Sequence, residues 1–157
     1  MPLTIRLYQP GDLERLIQLT VDSFPGVTLE QNVEQVLGIL HGKNWQWRKG
    51  RHIEEDVAAN PAGIFVAESD AVLVGYVTTR LDRETGKGRI PNLAVDRSLR
   101  GQGLGRQLIE RALEYFREQG MSYAMIETMA QNEIGQHLYP SCGFQEVARQ
   151  VHYARRL

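Results

Sequence analysis

The chain has 157 residues, 42% of them hydrophobic and 24% charged, and a formal net charge of −1. That length suits one domain, 1–157, hiding roughly 70% of its unfolded surface without staples, and the near-neutral balance offers no global attraction to nucleic acid. A single cysteine, Cys142, rules out an internal disulfide, no apolar run nears the ~20 residues of a bilayer span, and no basic-then-apolar start follows Met1, so a soluble cytoplasmic domain is expected.

In chain order, Thr4 to Tyr8 alternates like a strand, and Pro10-Gly11-Asp12 breaks it, with Asp12 placed to cap a helix. Leu13, Leu16, Ile17, Val21 and Phe24 recur at helical spacing until Pro25-Gly26. Thr28 and Gln31 form a capping-box pattern for a second helix running toward Leu40. Segment 42–62 predicts helical pieces interrupted by Gly50. Ile64 to Glu68 and Ala71 to Leu81 predict a hairpin turned at Ser69-Asp70, and 82–88 a charged loop. Ile90 to Val95 is a buried strand, and Leu104, Leu108, Ile109, Ala112, Leu113 and Phe116 mark a helix closed by Gly120. A strand over 121–128 follows, then a short helix from Asn132 to about Tyr139 closed by Pro140 and Gly143. Val147, Val151 and Tyr153 at alternate places predict one or two closing strands within 144–157. The order β-α-α-β-β-β-α-β-α-β, an antiparallel meander feeding a β-α-β unit, gives a mixed sheet covered by helices.

Between the strand at 90–95 and the long helix lies Arg100-Gly-Gln-Gly-Leu-Gly105, with glycines at alternate positions. Glycine removes the Cβ atoms that would hold a ligand off the backbone, and the helix start presents free N–H groups at its positive end. That combination is a phosphate site. A nucleotide P-loop needs Gly-Lys-Ser/Thr, and this loop ends Gly105-Arg106-Gln107. A dinucleotide fingerprint fits Gly101 and Gly103 but meets Arg106 where its third glycine belongs. The pattern Arg/Gln-x-x-Gly-x-Gly/Ala is met by Arg100, Gly103 and Gly105. A plain strand–turn–helix connection is the bland alternative.

A second signature follows the strand at 121–128: Asn132, then Leu138-Tyr139-Pro-Ser-Cys-Gly143-Phe144. The two motifs, in this order with a helix and a strand between them, resemble those of the Gcn5-related N-acetyltransferase (GNAT) family. The resemblance covers about 63–157. It implies an α/β fold of mixed α+β type: a mostly antiparallel central sheet with splayed central strands, flanked by helices. It also implies acetyl-CoA as cosubstrate and no metal. Residue by residue, it places Arg100, Gly101, Gln102, Gly103, Leu104, Gly105 and Arg106 around the pyrophosphate, and Leu93, Ala94 and Val95 beside the pantetheine arm. Asn132 falls where that arm is commonly hydrogen-bonded, and Tyr139 where the general acid for the leaving thiolate stands. Glu127 precedes Tyr139 at a spacing similar to that in ribosomal-protein N-terminal acetyltransferases, where the glutamate is the base. Gly135 stands where alanine is usual, and Pro140 directly follows Tyr139. No acid occupies the central strand; Asn92 there can donate a hydrogen bond but cannot serve as a base.

The implied reaction moves an acetyl group to a primary amine by direct attack, the acceptor being a small molecule or a protein or peptide amine. The amine must be neutral, so a base takes its proton. A glutamate near its reference pKa of about 4.3 is weak for this unless burial raises it. A main-chain N–H near Leu93 or Ala94 suits the developing oxyanion. The alternative is a non-catalytic acetyl-CoA-binding sensor or scaffold. Trp45 and Trp47 either anchor segment 25–62 to the core or line the acceptor pocket. His41, His52, His137 and His152 lack metal-ligand spacing, and the chain is expected as monomer or homodimer.

Overall fold

A computed structural model describes residues 2–157. Strands β1 (Leu3–Leu7), β2 (Phe65–Ser69), β3 (Val72–Val77) and β6 (Leu93–Val95) form one antiparallel sheet in that spatial order. Strands β4 (Arg80–Asp82), β5 (Lys87–Ile90) and β7 (Tyr123–Ile126) form a second, with β5 and β7 parallel. Helices α1 (Leu13–Ser23), α2 (Leu29–Leu37) and α3 (Trp45–Ala59) precede the sheet strands β2 onward, and α4 (Leu104–Glu118) and α5 (Glu133–Ser141) bracket β7.

Side-chain alternation along β2 builds a core on each face. Phe65 and Ala67 join Leu104, Leu108, Ala112 and Phe116 of α4, while Ile64 and Val66 join Leu16, Leu19 and Ile53 of α1 and α3. Helix α4 buries Leu104, Leu108, Ile109, Ala112, Tyr115 and Phe116, the stripe expected of its spacing. Gly120, at φ +77°, ends it, and Met121 N–H closes back on the Phe116 carbonyl at 2.9 Å.

The division into two sheets has a local cause. Residues 87–95 would be one strand but for Pro91, which has no N–H for a ladder, and Asn92, which turns inward. Asn92 Nδ2 donates to Asp56 Oδ2 at 2.7 Å, and its Oδ1 accepts from Lys49 Nζ at 2.8 Å. Asp56, buried on α3, also accepts from Thr78 Oγ1 at 2.8 Å and from the Arg80 guanidinium at 2.8 and 3.2 Å. A buried carboxylate needs such partners, and here they fasten the kink. Before it the strand pairs with β7; after it, only with β3.

Several expectations are corrected. Asp12 makes no side-chain cap on α1. The strand expected over Ala71 to Leu81 is two, β3 and β4, in different sheets, and that expected over Ile90 to Val95 is split between β5 and β6. Segment 42–62 holds one unbroken helix, α3, capped by Asn44, whose side chain accepts from Trp47 N–H. Gly50 does not interrupt it: a Cβ there would stand 3.1 Å from Ile17 Cγ2, so the glycine lets α3 approach α1. The loop expected over 82–88 is a hairpin joining β4 to β5, turned by Asp82, whose carboxylate accepts from Glu84 and Thr85 N–H. The closing strands expected in 144–157 do not form; beyond Phe144 the residues are exposed and hold no strand. Helix α5 also runs through Pro140 to Ser141.

Candidate active site

The glycine loop meets the helix start as the sequence requires. Gly101 and Gly103 have φ of +79° and +82°, and no atom lies within 4 Å of where either Cβ would be. Gly103 is the N-cap of α4 and supplies no side-chain cap, so the first-turn N–H groups of Leu104, Gly105 and Arg106 stay free. A space that a side chain would fill, faced by uncapped amides, fits a pyrophosphate. Arg100 is fixed beside it by donating to the Ser23 carbonyl at 2.9 Å. Arg106 is turned the other way, its Nη1 donating to the Ser141 carbonyl at 2.8 Å at the end of α5. Gln102 is exposed. Gly105 matters for packing instead. A Cβ there would meet Leu138 Cδ2 at 3.1 Å, so the glycine lets α5 sit on the first turn of α4.

That contact brings Tyr139 beside the loop. The end of α5 is a Schellman closure, with Phe144 N–H on the Tyr139 carbonyl at 3.2 Å, Gly143 N–H on the Pro140 carbonyl at 3.0 Å, and Gly143 at φ +91°. The accompanying hydrophobic contact is Tyr139 against Phe144, ring centroids 6.4 Å apart and edge-on. The spacing Tyr-x-x-x-Gly-Phe is thus a helix stop that clamps the tyrosine ring, and Pro140 does not loosen it. Burial, with a small contribution from Cys142, pushes the Tyr139 phenol up to about 12.

Asn132 caps α5: its Oδ1 accepts from Gly135 N–H at 3.2 Å and its Nδ2 donates to Thr128 Oγ1 at 2.9 Å. Gly135 is packed so tightly that a Cβ would lie 3.0 Å from both Asn132 Nδ2 and Tyr139 Cε2. Alanine would push on the very ring the site positions.

Backbone alternation decides what β6 offers. The Asn92 carbonyl accepts from Thr78 N–H, just past the end of β3, at 2.9 Å, Asp96 N–H donates to the Val74 carbonyl at 2.7 Å, and Tyr76 stands opposite Ala94. The polar groups of Ala94 therefore turn toward β3, while those of Leu93 and Val95 face the gap left by β7. Ser23 Oγ reaches the Val95 carbonyl at 3.4 Å. The Leu93 and Val95 N–H groups are thus the main-chain donors facing the gap, and Ala94 contributes its side chain to the core under α1.

Glu127 follows β7 at the gap's mouth. Its side chain is 63% exposed and accepts from Arg89 Nε at 3.1 Å. Over the gap lies a clasp that no sequence signal announces. Gln131 Nε2 donates to Asn32 Oδ1 at 2.8 Å and to the Gly26 carbonyl at 3.1 Å, tying the loop after β7 to the start of α2. Beneath it, Lys49 Nζ lies 4.9 Å from the Phe24 ring centroid, and burial lowers its pKa. Glu30 is pushed up by burial but brought down to about 2 by its hydrogen bond with His52, 3.0 Å away. Trp45 is buried and anchors α3; Trp47 is 42% exposed, with Lys43 and Arg51 against its ring. A cleft of about 220 Å³ lined by Leu19, Asp22, Ser23, Asp96 and Arg97 adjoins the glycine loop. Among the described residues no three His, Cys, Asp or Glu groups gather as a metal site, and no helix is long and apolar enough to cross a membrane.

An uncapped, glycine-opened helix start beside a sheet split at its centre is the arrangement of an acyl-CoA acetyltransferase fold. A family model described as the acetyltransferase (GNAT) family matches residues 13–144, and the chain belongs to that family. Mycothiol acetyltransferase of Propionibacterium freudenreichii subsp. shermanii is 35% identical over 98 residues, covering 60% of this chain and 31% of that protein. The Streptomyces avermitilis enzyme of the same name is 34% identical over 85 residues, covering 54% and 28%. The chain thus spans about a third of the length of these curated relatives. Among solved structures, PaiA N-acetyltransferase from Thermoplasma acidophilum, in complex with coenzyme A, superposes with a TM-score of 0.74 at 19% identity, covering 92% of this chain and 91% of that one. Aminoglycoside acetyltransferase AAC(6')-Iy, bound to a bisubstrate analogue, gives 0.69 at 22% identity and covers both chains in full.

Proposed function

We propose that the chain is an acetyl-CoA-dependent N-acetyltransferase acting on a primary amine by direct attack. The observation that carries this is the meeting of the uncapped α4 start with the Tyr139 helix at Gly105 and Leu138, beside the open edge of β6. Bound acetyl-CoA supplies an activated acetyl thioester. The free amides of Leu104, Gly105 and Arg106 hold its pyrophosphate, with Arg100 adding positive charge. Leu93 N–H donates to the oxygen on which charge develops. Tyr139 keeps its proton at every ordinary pH and donates it as a hydrogen bond to the departing sulfur. A phenol near 12 is a weaker acid than a thiol of about 8.5, so its main work is to stabilise the charge developing on the sulfur. Asn132 sets the α5 start that carries Tyr139.

Glu127, standing exposed at the gap's mouth, draws the incoming ammonium and takes its proton by way of water. The acceptor end between α1, α2 and α3 admits a small amine or a peptide terminus; the relatives act, by name, on mycothiol, aminoglycosides and the alanine of ribosomal protein S18. Release of CoA measured across a panel of such amines tests the reading. Turnover on any of them that Tyr139→Phe depresses supports it. Tight acetyl-CoA binding with no turnover across the panel would make the chain a sensor.

A further inference from the structure

We propose that Lys49 selects the acceptor: the amine acetylated by this chain carries a carboxylate or phosphate near its nitrogen, and the Lys49 ammonium receives that anion. This rests on the acetyltransferase reading of the same site and names its substrate class.

Helix α3 brings Lys49 to the place where the central strand kinks. Its Nζ donates to Asn92 Oδ1 at 2.8 Å, and Asn92 directly precedes Leu93, whose N–H faces the gap. The Phe24 ring, just past the end of α1, has its centroid 4.9 Å from Nζ. Ser23, the last residue of that helix, in turn reaches the Val95 carbonyl of β6 at 3.4 Å. The ammonium is thus held between the end of α1 and the kink, beside the strand on which the thioester reacts.

An ammonium has three N–H donors. Among the described residues this one makes a single hydrogen bond and no ion pair. The carboxylates that bear on it are engaged elsewhere. Asp56 takes Thr78 and Asn92 on Oδ2 and the Arg80 guanidinium on Oδ1. Glu30 is paired with His52 at 3.0 Å. Both act on Lys49 only from a distance, and burial prevails over them, lowering its pKa. Phe24 offers the charge its ring face, which attracts a cation but is no oxygen acceptor. A half-buried cation with donors to spare is costly until an anion joins it.

An anionic group on the acceptor supplies that partner. The same charge works against a polycation, since Asp56 and Glu30 are already engaged and neither is free to receive a second cation. Glu127 at the mouth of the gap is the opposite pole. An amine drawn toward Glu127, with its own anion drawn toward Lys49, lies across the gap in a fixed sense. A short amino acid and an aminoalkyl phosphate share this chemistry.

The test measures CoA release from acetyl-CoA with two matched pairs of amines: alanine against alaninamide, and 2-aminoethyl phosphate against ethanolamine. Each kcat/KM is referred to the neutral amine present at the assay pH. In one pair or both the anionic member should be favoured roughly tenfold or more, and the pair with the larger ratio tells carboxylate from phosphate. Lys49→Gln keeps an N–H for Asn92 but no charge, and should bring the ratio within about twofold of unity. Lys49→Arg should restore it. Because the ratio is taken within each variant, a loss of rate or stability common to both amines cancels. Turnover of the uncharged amines, or of polycations, with no preference for the anionic members overturns this proposal alone. So does a preference that survives Lys49→Gln in a protein that melts cooperatively. Should Lys49→Gln not fold, the parent's ratio decides: unity overturns the proposal, and a preference kept by Lys49→Arg supports it. Bound acetyl-CoA with no release on any amine overturns the transferase reading and this proposal with it.

Discussion

The two ends of the gap between β6 and β7 are built by different means. At the proposed phosphate end the working groups are main-chain amides, and what shapes them is the lack of side chains at Gly101 and Gly103, while the bare Gly105 lets α5 close on the helix start. At the acceptor end the working shape is held by side chains far apart in sequence: Asp56 on α3, Asn92 at the kink, Lys49 between them, and Gln131 clasping Asn32. A backbone site tolerates little variation locally and is indifferent to distant residues. A side-chain site is the reverse, which lets one fold keep its cosubstrate while changing its acceptor.

The largest test of that contrast is Asp56→Ala. It strips partners from Arg80, Thr78 and Asn92 at once and leaves polar groups buried. Urea denaturation should show a loss of about 3 kcal/mol, and kcat should fall as the kink relaxes. An unchanged midpoint would mean that Pro91 alone breaks the sheet.

Next is Tyr139→Phe, which keeps the ring in its Schellman clamp and deletes one hydroxyl. kcat should drop roughly 10²-fold, with acetyl-CoA affinity within about twofold by calorimetry. Because burial raises the phenol to about 12, it stays protonated through the alkaline range. The wild-type kcat profile should therefore show no falling limb from this group between neutrality and pH ~10. A limb there that Tyr139→Phe abolishes would put the phenol in water and the clamp in doubt.

What the sequence disclosed follows the same division. The stripe of α4, the glycine loop and the Asn132-to-Phe144 motif all sit within a few residues of the groups they position, so spacing revealed them. The Schellman stop even explains why Tyr139 and Phe144 occur together. Asp56, Lys49 and Gln131 carried no such signal. Each is an ordinary helix or loop residue until a partner tens of positions away reaches it, and segment 25–62 was opaque for that reason. Gly50 misled because a helix-weakening residue was weighed without the neighbour, Ile17, that requires it. The tail from 145 misled because alternation reports a strand's face and says nothing about whether an edge is there to pair with it.

Gly103→Ala probes the phosphate end directly. A Cβ at φ +82° costs on the order of 1–2 kcal/mol in the left-handed region, and it enters the space left for the ligand. Acetyl-CoA should bind about tenfold more weakly, or ~1.4 kcal/mol, in a protein that still melts cooperatively. Equal affinity in the folded variant would show that the pyrophosphate lies elsewhere.

The smallest expected effect bears most closely on the acceptor end. Glu127 is 63% exposed, and its pair with Arg89 is of the surface kind, worth about 0–1 kcal/mol. Glu127→Gln should thus change stability by less than ~0.5 kcal/mol. Its effect on kcat/KM depends on how the proton leaves. A carboxylate that attracts the ammonium and relays through water should cost only ~3–10-fold when removed, well short of the 10²–10⁴-fold of a base in direct contact. The loss should be greatest at low pH, where more of the amine is protonated, and should shrink as pH rises. Salt should mimic it, because at 0.1 M exposed charges more than about 10 Å apart are largely screened. A salt-independent loss of 10²-fold or more would make Glu127 a base in contact with the amine. The acceptor end would then carry its chemistry on a group readable from its spacing to Tyr139, and the contrast between the two ends would fail. A pH profile that Glu127→Gln leaves unmoved would instead assign the proton to solvent, leaving the acceptor end to supply shape and orientation alone.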